Sequence, residues 1–338
     1  MRAVVYSEPG GPEVLRLVER EAPEPGPGEV RVRVAVSGVN PTDWKSRRAS
    51  YGTLAFPEIV PNQDGAGTID AVGDGVPAAR VGERVWLWEA AWRRADGTAQ
   101  ELVVLPARQA VALPGDASFD VGASLGIPAL TAQLCLTAAD RGPRGLEPGA
   151  LSGATVLVAG GAGAVGHATI QLARWAGARV IATVSSEDKA RLAEAAGADH
   201  TVDYRQEAAA GEIRELAPEG VDLVVEVAPA VNAALDAAVL APGGAVAAYA
   251  TDGGGDLGLE VRGLMSLNAR YRFVLVYTVS REEKDQAVRD VAAALADGAL
   301  PVGEECGLPL HRFPLERTAD AHAAVEAAAV GKVLIDVT

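Results

Sequence analysis

A short apolar run, Thr155-Val156-Leu157-Val158-Ala159, is followed almost at once by Gly161-Ala162-Gly163-Ala164-Val165-Gly166, and then by a helical pattern over 165–176 that stops at Gly177. This strand, glycine turn and helix restrict the fold more than any other stretch of the chain. In G-x-G-x-x-G the first glycine permits a tight turn, the second lets backbone N–H groups approach a pyrophosphate, and the third lets helix pack closely on strand. The helix N-terminus adds unpaired N–H groups and the positive end of its dipole, which together attract phosphate. A bare match in an Ala- and Gly-rich chain says little, since a ligand-free glycine turn would read the same. With a strand before it and a helix after it, the segment predicts a dinucleotide site.

The pattern repeats downstream. Residues 179–184 form the next apolar run, 187–196 a helical stretch ending at Gly197, and further β runs fall at 200–202, 221–227, 245–249 and 271–278. Strand alternating with helix at this pitch means parallel βαβ units, hence an α/β fold with a Rossmann doubly wound parallel sheet. Residues before about 115 differ: short β-rich runs such as 30–36 and 84–88 are punctuated by Gly and Pro, which predicts a compact, mostly antiparallel β domain. Three prolines within 21–28 stiffen a connection between strands. Ser280 and Glu283 carry a capping-box signature that opens an amphipathic helix running to Asp297 and stopping at Gly298. We read it as the last helix, with the remainder returning to β pattern and rejoining the first domain. The expected division is 1–126 with 281–338 for the β domain and 127–280 for the Rossmann domain.

At 338 residues the chain exceeds the usual reach of one hydrophobic core, which agrees with two domains. With 49% hydrophobic and 22% charged residues it has the makeup of a folded enzyme, not of a disordered chain. A formal net charge of −15 opposes binding to phosphate backbones and anionic membranes, and no run of Lys and Arg offsets that field. No apolar stretch approaches the roughly 20 residues that cross a bilayer, and Met1-Arg2-Ala3-Val4-Val5-Tyr6 reads as a strand, not as a secretory leader. A cytoplasmic protein without nucleic-acid or membrane partners is expected. Cys135 and Cys306 are too few for a disulfide framework and are expected as buried, reduced thiols.

The end of the second Rossmann strand discriminates between nicotinamide cofactors. A site that favours NAD places Asp or Glu about 20 residues past the turn, where it accepts from the ribose hydroxyls. Here the strand ends Ala182-Thr183-Val184-Ser185-Ser186, without a carboxylate at its tip; Glu187 and Asp188 follow on the helix start, where acidic residues also favour the dipole. Lys189, one turn in, and Tyr204, after the third strand, can both point toward the adenosine ribose. A cation with hydroxyl donors suits a 2′-phosphate, so NADPH is expected over NADH. Before Cys135 the chain has neither cysteine nor histidine, and His167, His200, His311 and His322 are scattered, so the first domain lacks the residues of a His/Cys zinc centre. Without that Lewis acid, the expected acceptor is one that takes hydride easily, a quinone or enone in which the resulting charge is delocalised.

These motifs, in order and spacing, resemble the medium-chain dehydrogenase/reductase superfamily, and within it the zinc-free NADPH:quinone oxidoreductase (zeta-crystallin-like) group. The resemblance runs from Met1-Arg2-Ala3-Val4 through Gly38-Val39-Asn40-Pro41-Thr42-Asp43-Trp44-Lys45, Asp64-Gly65-Ala66-Gly67, Gly82-Glu83-Arg84-Val85 and Gly126-Ile127-Pro128-Ala129-Leu130-Thr131-Ala132 to Gly197-Ala198-Asp199 and Gly331-Lys332. Zinc-binding members of that superfamily have Cys where Asn40 stands and His-Glu where Gln63-Asp64 stands, and carry a four-cysteine loop absent here. The resemblance implies a GroES-like catalytic domain made from both chain ends, a central Rossmann domain, a cleft between them and a homodimer. It implies that Ser185, Lys189 and Tyr204 surround the 2′-phosphate. It also implies that Thr131, the backbone near 248–251 including Tyr249, and Phe273, Val274 and Val276 line the cofactor together with Gly161, Gly163, Ala164, Val165 and Gly166.

The expected reaction is hydride transfer from NADPH to a bound quinone or similar conjugated carbonyl compound, with the protein supplying alignment and hydrogen bonds to the developing oxyanion. By resemblance, Asn40 and Tyr51 are the candidate polar contacts to the acceptor, and Tyr51 is also a candidate proton donor. Asp43 either caps a helix beginning near Trp44 or takes part in catalysis. Trp86, Trp88 and Trp92 shape a pocket for a flat acceptor or are core and interface residues. Gly122-Ala123-Ser124-Leu125-Gly126 spells a serine-hydrolase elbow, but that elbow needs a strand immediately before it, and the preceding residues are turn-like and helix-starting. The competing readings are an NADPH-dependent enone or enoyl-thioester reductase and a non-catalytic NADPH-binding or RNA-binding protein.

Overall fold

A computed structural model describes every residue of the chain except Tyr51 and Arg141. The chain begins β1 (Arg2–Val5), β2 (Arg16–Glu19), β3 (Glu29–Val39), α1 (Pro41–Arg47), β4 (Asp64–Val72), β5 (Arg84–Leu87), β6 (Leu102–Pro106), β7 (Ala110–Ala112) and α2 (Phe119–Leu136). Strand and helix then alternate through β8 (Thr155–Ala159), α3 (Ala164–Trp175), β9 (Arg179–Val184), α4 (Glu187–Ala195), β10 (His200–Asp203), α5 (Ala209–Leu216), β11 (Val221–Glu226), α6 (Pro229–Val239), β12 (Leu240–Ala248), α7 (Val261–Leu267), β13 (Arg270–Phe273) and α8 (Arg281–Ala296). It closes with β14 (Leu310–Pro314), α9 (Thr318–Glu326) and β15 (Lys332–Asp336).

Two compact units result, Met1–Ile127 with Pro309–Thr338, and Pro128–Leu308. The sequence expectation places α8 in the β domain, and the structure corrects it. Asp290 of α8 accepts from Gln133 Nε2 at 2.6 Å and from the Leu146 N–H at 2.7 Å, and Ala287, Val291 and Ala294 bury an apolar stripe. Helical periodicity shows that such a stripe exists; it does not say which layer receives it. Nor is α8 the last helix. α9 follows, burying Ala321 and His322, and it is too short and too alanine-rich to announce itself by period.

The first unit holds a seven-stranded sheet in the order β14-β15-β3-β4-β5-β7, with β6 also paired to β3 and only β14–β15 parallel. In β3 the alternation does what a half-buried strand requires. Val30, Val32 and Val34 enter the core, while Arg31 and Arg33 bond Asp70 of the neighbouring strand at 2.8 and 3.1 Å. Each such buried Val or Leu stabilises by roughly 1.5–3 kcal/mol. Register then sets the site: Gly38 lies opposite both Asp64 and Leu334, so the end of β3 and the starts of β4 and β15 converge.

The second unit holds a six-stranded parallel sheet in the order β10-β9-β8-β11-β12-β13. The winding reverses between β8 and β11, the switch point at which such sheets bind ligands beyond their carboxyl ends. β13 is shorter than the 271–278 run; after Phe273 the chain turns, with the Val274 N–H on the Ala248 carbonyl at 2.8 Å. α2 is long and apolar enough to resemble a membrane span, and 83% of it is buried inside the protein. Ser124 lies within α2 and returns its hydroxyl to the Asp120 carbonyl, so no strand-to-helix elbow exists there.

Candidate active site

The glycine turn occupies the carboxyl end of β8. The left-handed residue that makes it tight is Gly160, at φ +69°, one position before the motif. Gly161 serves packing instead: a Cβ there would stand 2.8 Å from the Ala182 Cβ on β9. A Cβ on Gly166 would stand 2.3 Å from the Gly160 carbonyl oxygen, whereas one on Gly163 would meet nothing closer than 3.4 Å. The space over Gly163 is thus free on the protein side, and α3 opens there at Ala164 and Val165 with no side chain capping it. Free helix-terminal N–H groups beside an open approach fit a pyrophosphate.

At the end of β9 Ser186 caps α4 and Lys189 Nζ donates to Ser185 Oγ at 2.9 Å. The Tyr204 N–H bonds the Val184 carbonyl at 3.3 Å, which brings that exposed ring to the same sheet edge. Tyr249 follows β12 and bonds the Glu226 carbonyl at 3.0 Å, while Val274 and Val276 are buried and Phe273 is 68% exposed. Thr131 is buried in α2. Because the strands are parallel, the glycine turn, Ser185, Lys189, Tyr204, Tyr249 and Val274 share one edge of the sheet. Their donors and their single cation fit a phosphorylated dinucleotide.

In the first unit a fully buried polar cluster surrounds Asn40. Asn40 is the cap of α1, which begins at Pro41 and not near Trp44, since proline readily occupies the first helical position. Asp43 supports that cap from the third position, its Oδ2 accepting the Asn40 N–H at 2.7 Å. The Asn40 amide donates to Asp64 Oδ2 at 2.7 Å and accepts from Lys332 Nζ at 2.7 Å. With both ends engaged, the amide is held in one orientation between Asp64 and Lys332. Tyr51, the other candidate contact, lies outside the described residues.

Lys332 Nζ also lies 3.6 Å from Asp64 Oδ2, and both side chains are almost wholly buried. Asp64 Oδ1 receives the Ile127 N–H at 2.9 Å, an approach possible because residue 126 is glycine. Burial pushes the Asp43 carboxyl up to about 8, against the Asn40 N–H and with the Asp64 charge adding to the rise. Two acids share one ammonium, and Asp64 takes it, so Asp43 keeps its proton at neutral pH.

Trp86 and Trp88 are core residues with no exposure, because the alternation of β5 and the turn after it bury them, whereas Trp92 borders a cavity of the first unit. Cys135 is buried and Cys306 half-buried in a surface turn. Among the described residues no group of three His, Cys, Asp or Glu is placed to hold a metal ion. Sequence reasoning missed Gly160 and Lys332. The last had a signal: a lysine inside a β run of apolar residues must be buried and therefore needs an acid.

Residues 26–115 match the family model described as an alcohol dehydrogenase GroES-like domain, and 164–293 that of a zinc-binding dehydrogenase. A quinone oxidoreductase of Lama guanicoe is 31% identical over 339 residues, covering 99% of this chain and 97% of that one. Among solved structures, an NAD-dependent alcohol dehydrogenase has a TM-score of 0.85 at 30% identity with both chains fully covered. A mycobacterial protein complexed with NADPH reaches 0.82 at 32% identity with 99% of each chain covered. The CurK enoyl reductase reaches 0.81 at 25% identity over 100% of this chain and 99% of that one. A glycine turn at the switch point of a parallel sheet, a β unit closed by the C-terminal strand and a full-length relative lead to one conclusion: this chain is an oxidoreductase of the medium-chain dehydrogenase/reductase superfamily, in the quinone oxidoreductase family.

Proposed function

We propose that the protein is an NADPH-dependent reductase of quinones and similar conjugated carbonyl compounds, working as a homodimer. The observation that carries the cofactor is the Lys189–Ser185 pair, 2.9 Å apart at the end of a strand that ends without a carboxylate. A 2′-phosphate there gains an ammonium and hydroxyl donors, whereas the NAD ribose finds no carboxylate acceptor at the strand tip. Bound NADPH supplies the hydride. Ala164 and Val165 offer N–H groups to the pyrophosphate beside Gly163, whose own N–H bonds the Gly160 carbonyl at 3.0 Å, and Lys189, Ser185 and Tyr204 select the phosphorylated end. The full-length similarity to a quinone oxidoreductase supports a quinone as acceptor. The homodimer reading rests on β13, the outer strand of the parallel sheet, beside which Phe273, Leu275, Met265 and Val261 are exposed.

The test is NADPH oxidation with 1,4-benzoquinone, beside NADH and beside a cyclic enone. Turnover is expected with NADPH and quinone. Lys189→Ala is expected to raise the Kd for NADPH by about tenfold or more, the scale of a lost charge-assisted hydrogen bond, and to leave NADH binding almost unchanged. Equal losses for both cofactors would refute the phosphate role, and faster turnover of the enone would move the acceptor to the enoyl-reductase class.

A further inference from the structure

Glu226 ends β11 and Asp236 lies in α6, and both residues are only 1% exposed. A side-chain hydrogen bond joins their carboxyl groups. Two carboxylates cannot share such a bond without a proton between them, so the pair carries one proton and one negative charge. The surrounding donors decide which acid is the anion. Glu226 Oε1 accepts the Ala228 N–H at 2.5 Å and Asn232 Nδ2 at 3.0 Å, and the Val227 N–H adds a third donor. Asp236 Oδ2 is buried without a hydrogen-bond partner among the described residues, so Asp236 is the acid that keeps its O–H.

The donors that Glu226 gathers all belong to the turn between β11 and α6 or to the first turns of that helix. Pro229, Ala233 and Asp236 form one buried stripe of α6, and Asn232, one turn before Asp236, reaches the same carboxylate. This turn stands against the glycine turn: a Cβ on Gly160 would lie 3.3 Å from Val227 Cγ1. It also anchors the segment after β12, because the Glu226 carbonyl accepts the Tyr249 N–H at 3.0 Å and the Val227 carbonyl accepts the Asp252 N–H at 3.2 Å. The titratable groups around the pair are the Tyr249 phenol and Asp252 after β12, the Tyr271 phenol of β13 and, beyond Tyr249, the Cys135 thiol of α2. None of these supplies a positive charge to hold a second carboxylate. Loss of the proton therefore leaves two anions in contact, breaks their bond and adds negative charge beside a site for a diphosphate.

We propose that Glu226 and Asp236 are positioning residues for the dinucleotide: their shared proton holds the β11–α6 turn against Gly160 and the 249–252 segment, and its loss weakens cofactor binding. The proposal rests on the NADPH reading above. Burial and the Glu226 charge push the Asp236 carboxyl up to about 9, so at neutral pH the folded pair is protonated and the turn is set. As pH rises through that value, the Asp236 O–H gives its proton to water and affinity falls. Because the dinucleotide binds the protonated form, the apparent Kd scales as the inverse of that form's fraction, which at pH 9.5 is about one quarter.

The experiment measures the Kd for NADPH and for NADH by calorimetry at pH 7.5 and 9.5, on the wild type, Asp236→Asn and Glu226→Gln. The wild-type Kd is expected to rise about fourfold over that range for both cofactors. Asp236→Asn keeps a donor toward Glu226 but has no proton to lose, so its Kd for NADH is expected to stay level. Glu226→Gln leaves Asp236 beside a neutral amide that can donate to its anion, so the rise is expected to shrink. NADH separates the pair from Lys189, whose own titration acts only through the 2′-phosphate, and the wild-type NADH titration stands if a variant fails to fold. Equal slopes in the wild type and Asp236→Asn, or a rise confined to NADPH, would overturn the proposal. A wild type without saturable NADPH binding at pH 7.5 would instead overturn the reading beneath it.

Discussion

A carboxyl group buried without its own cation keeps its proton, and the second unit does this with Asp236. Glu226 accepts the Ala228 N–H at 2.5 Å and Asn232 Nδ2 at 3.0 Å. Asp236, equally buried, faces Glu226 and the Tyr271 phenol, and burial followed by the Glu226 charge pushes it up to about 9. In the unfolded chain the same group loses its proton in the ordinary carboxylate range. Between those limits the folded state binds the extra proton, so this group's contribution falls as pH rises, by at most about 1.4 kcal/mol per pH unit, until the folded group ionises. Asp236→Asn keeps a donor toward Glu226 and carries no titrating proton. The melting temperature of the wild type should therefore drop between pH 6 and 9 more steeply than that of the variant; parallel curves would disprove the assignment. Nothing in Ala-Leu-Asp-Ala-Ala marks residue 236 as a paired acid, because its partner lies on another element and only folding brings the two together.

At the scale of elements, the strand–turn–helix around β8 and α3 was legible because it is local. Apolar run, glycine spacing and helical period all fall within 155–177, and the structure returns the same elements with α3 beginning one residue earlier, at Ala164. What the local pattern misassigned was the division of labour among the glycines, since close approach is a contact with another strand or turn. Gly163 and Gly166 separate the two uses. Gly163→Ala meets no clash and is expected to melt within about 1 °C of the wild type while weakening NADPH binding at least tenfold, because its methyl group occupies the approach to the helix N-terminus. Gly166→Ala drives a methyl into a backbone carbonyl and is expected to cost about 1–3 kcal/mol of stability, read as a lower urea midpoint. Equal stability losses in the two variants would show that both glycines serve packing alone.

For the whole molecule, a formal charge of −15 on 338 residues sets self-repulsion against any association, so a dimer needs a concentrated apolar contact. The exposed β13 edge with Phe273 and Leu275 is such a place, and an unpaired edge strand invites pairing with another copy. Met265→Glu, on the exposed helix beside that edge, is expected to turn a dimer into a monomer in light scattering after gel filtration, with NADPH binding retained; a monomeric wild type would dismiss the interface. The amino-acid order by itself determined the α/β class, the glycine turn with its phosphate-binding logic, and the return of the chain's end to the first domain. Each is written in residues near one another or in periods of two and 3.6. Tertiary structure alone decided that Asn40, Asp43, Asp64 and Lys332 form one buried cluster, that α8 packs with the parallel sheet, and that two of three neighbouring tryptophans are core. Those outcomes depend on strand register and on which apolar face meets which, and such contacts join residues up to 292 positions apart that no local pattern relates.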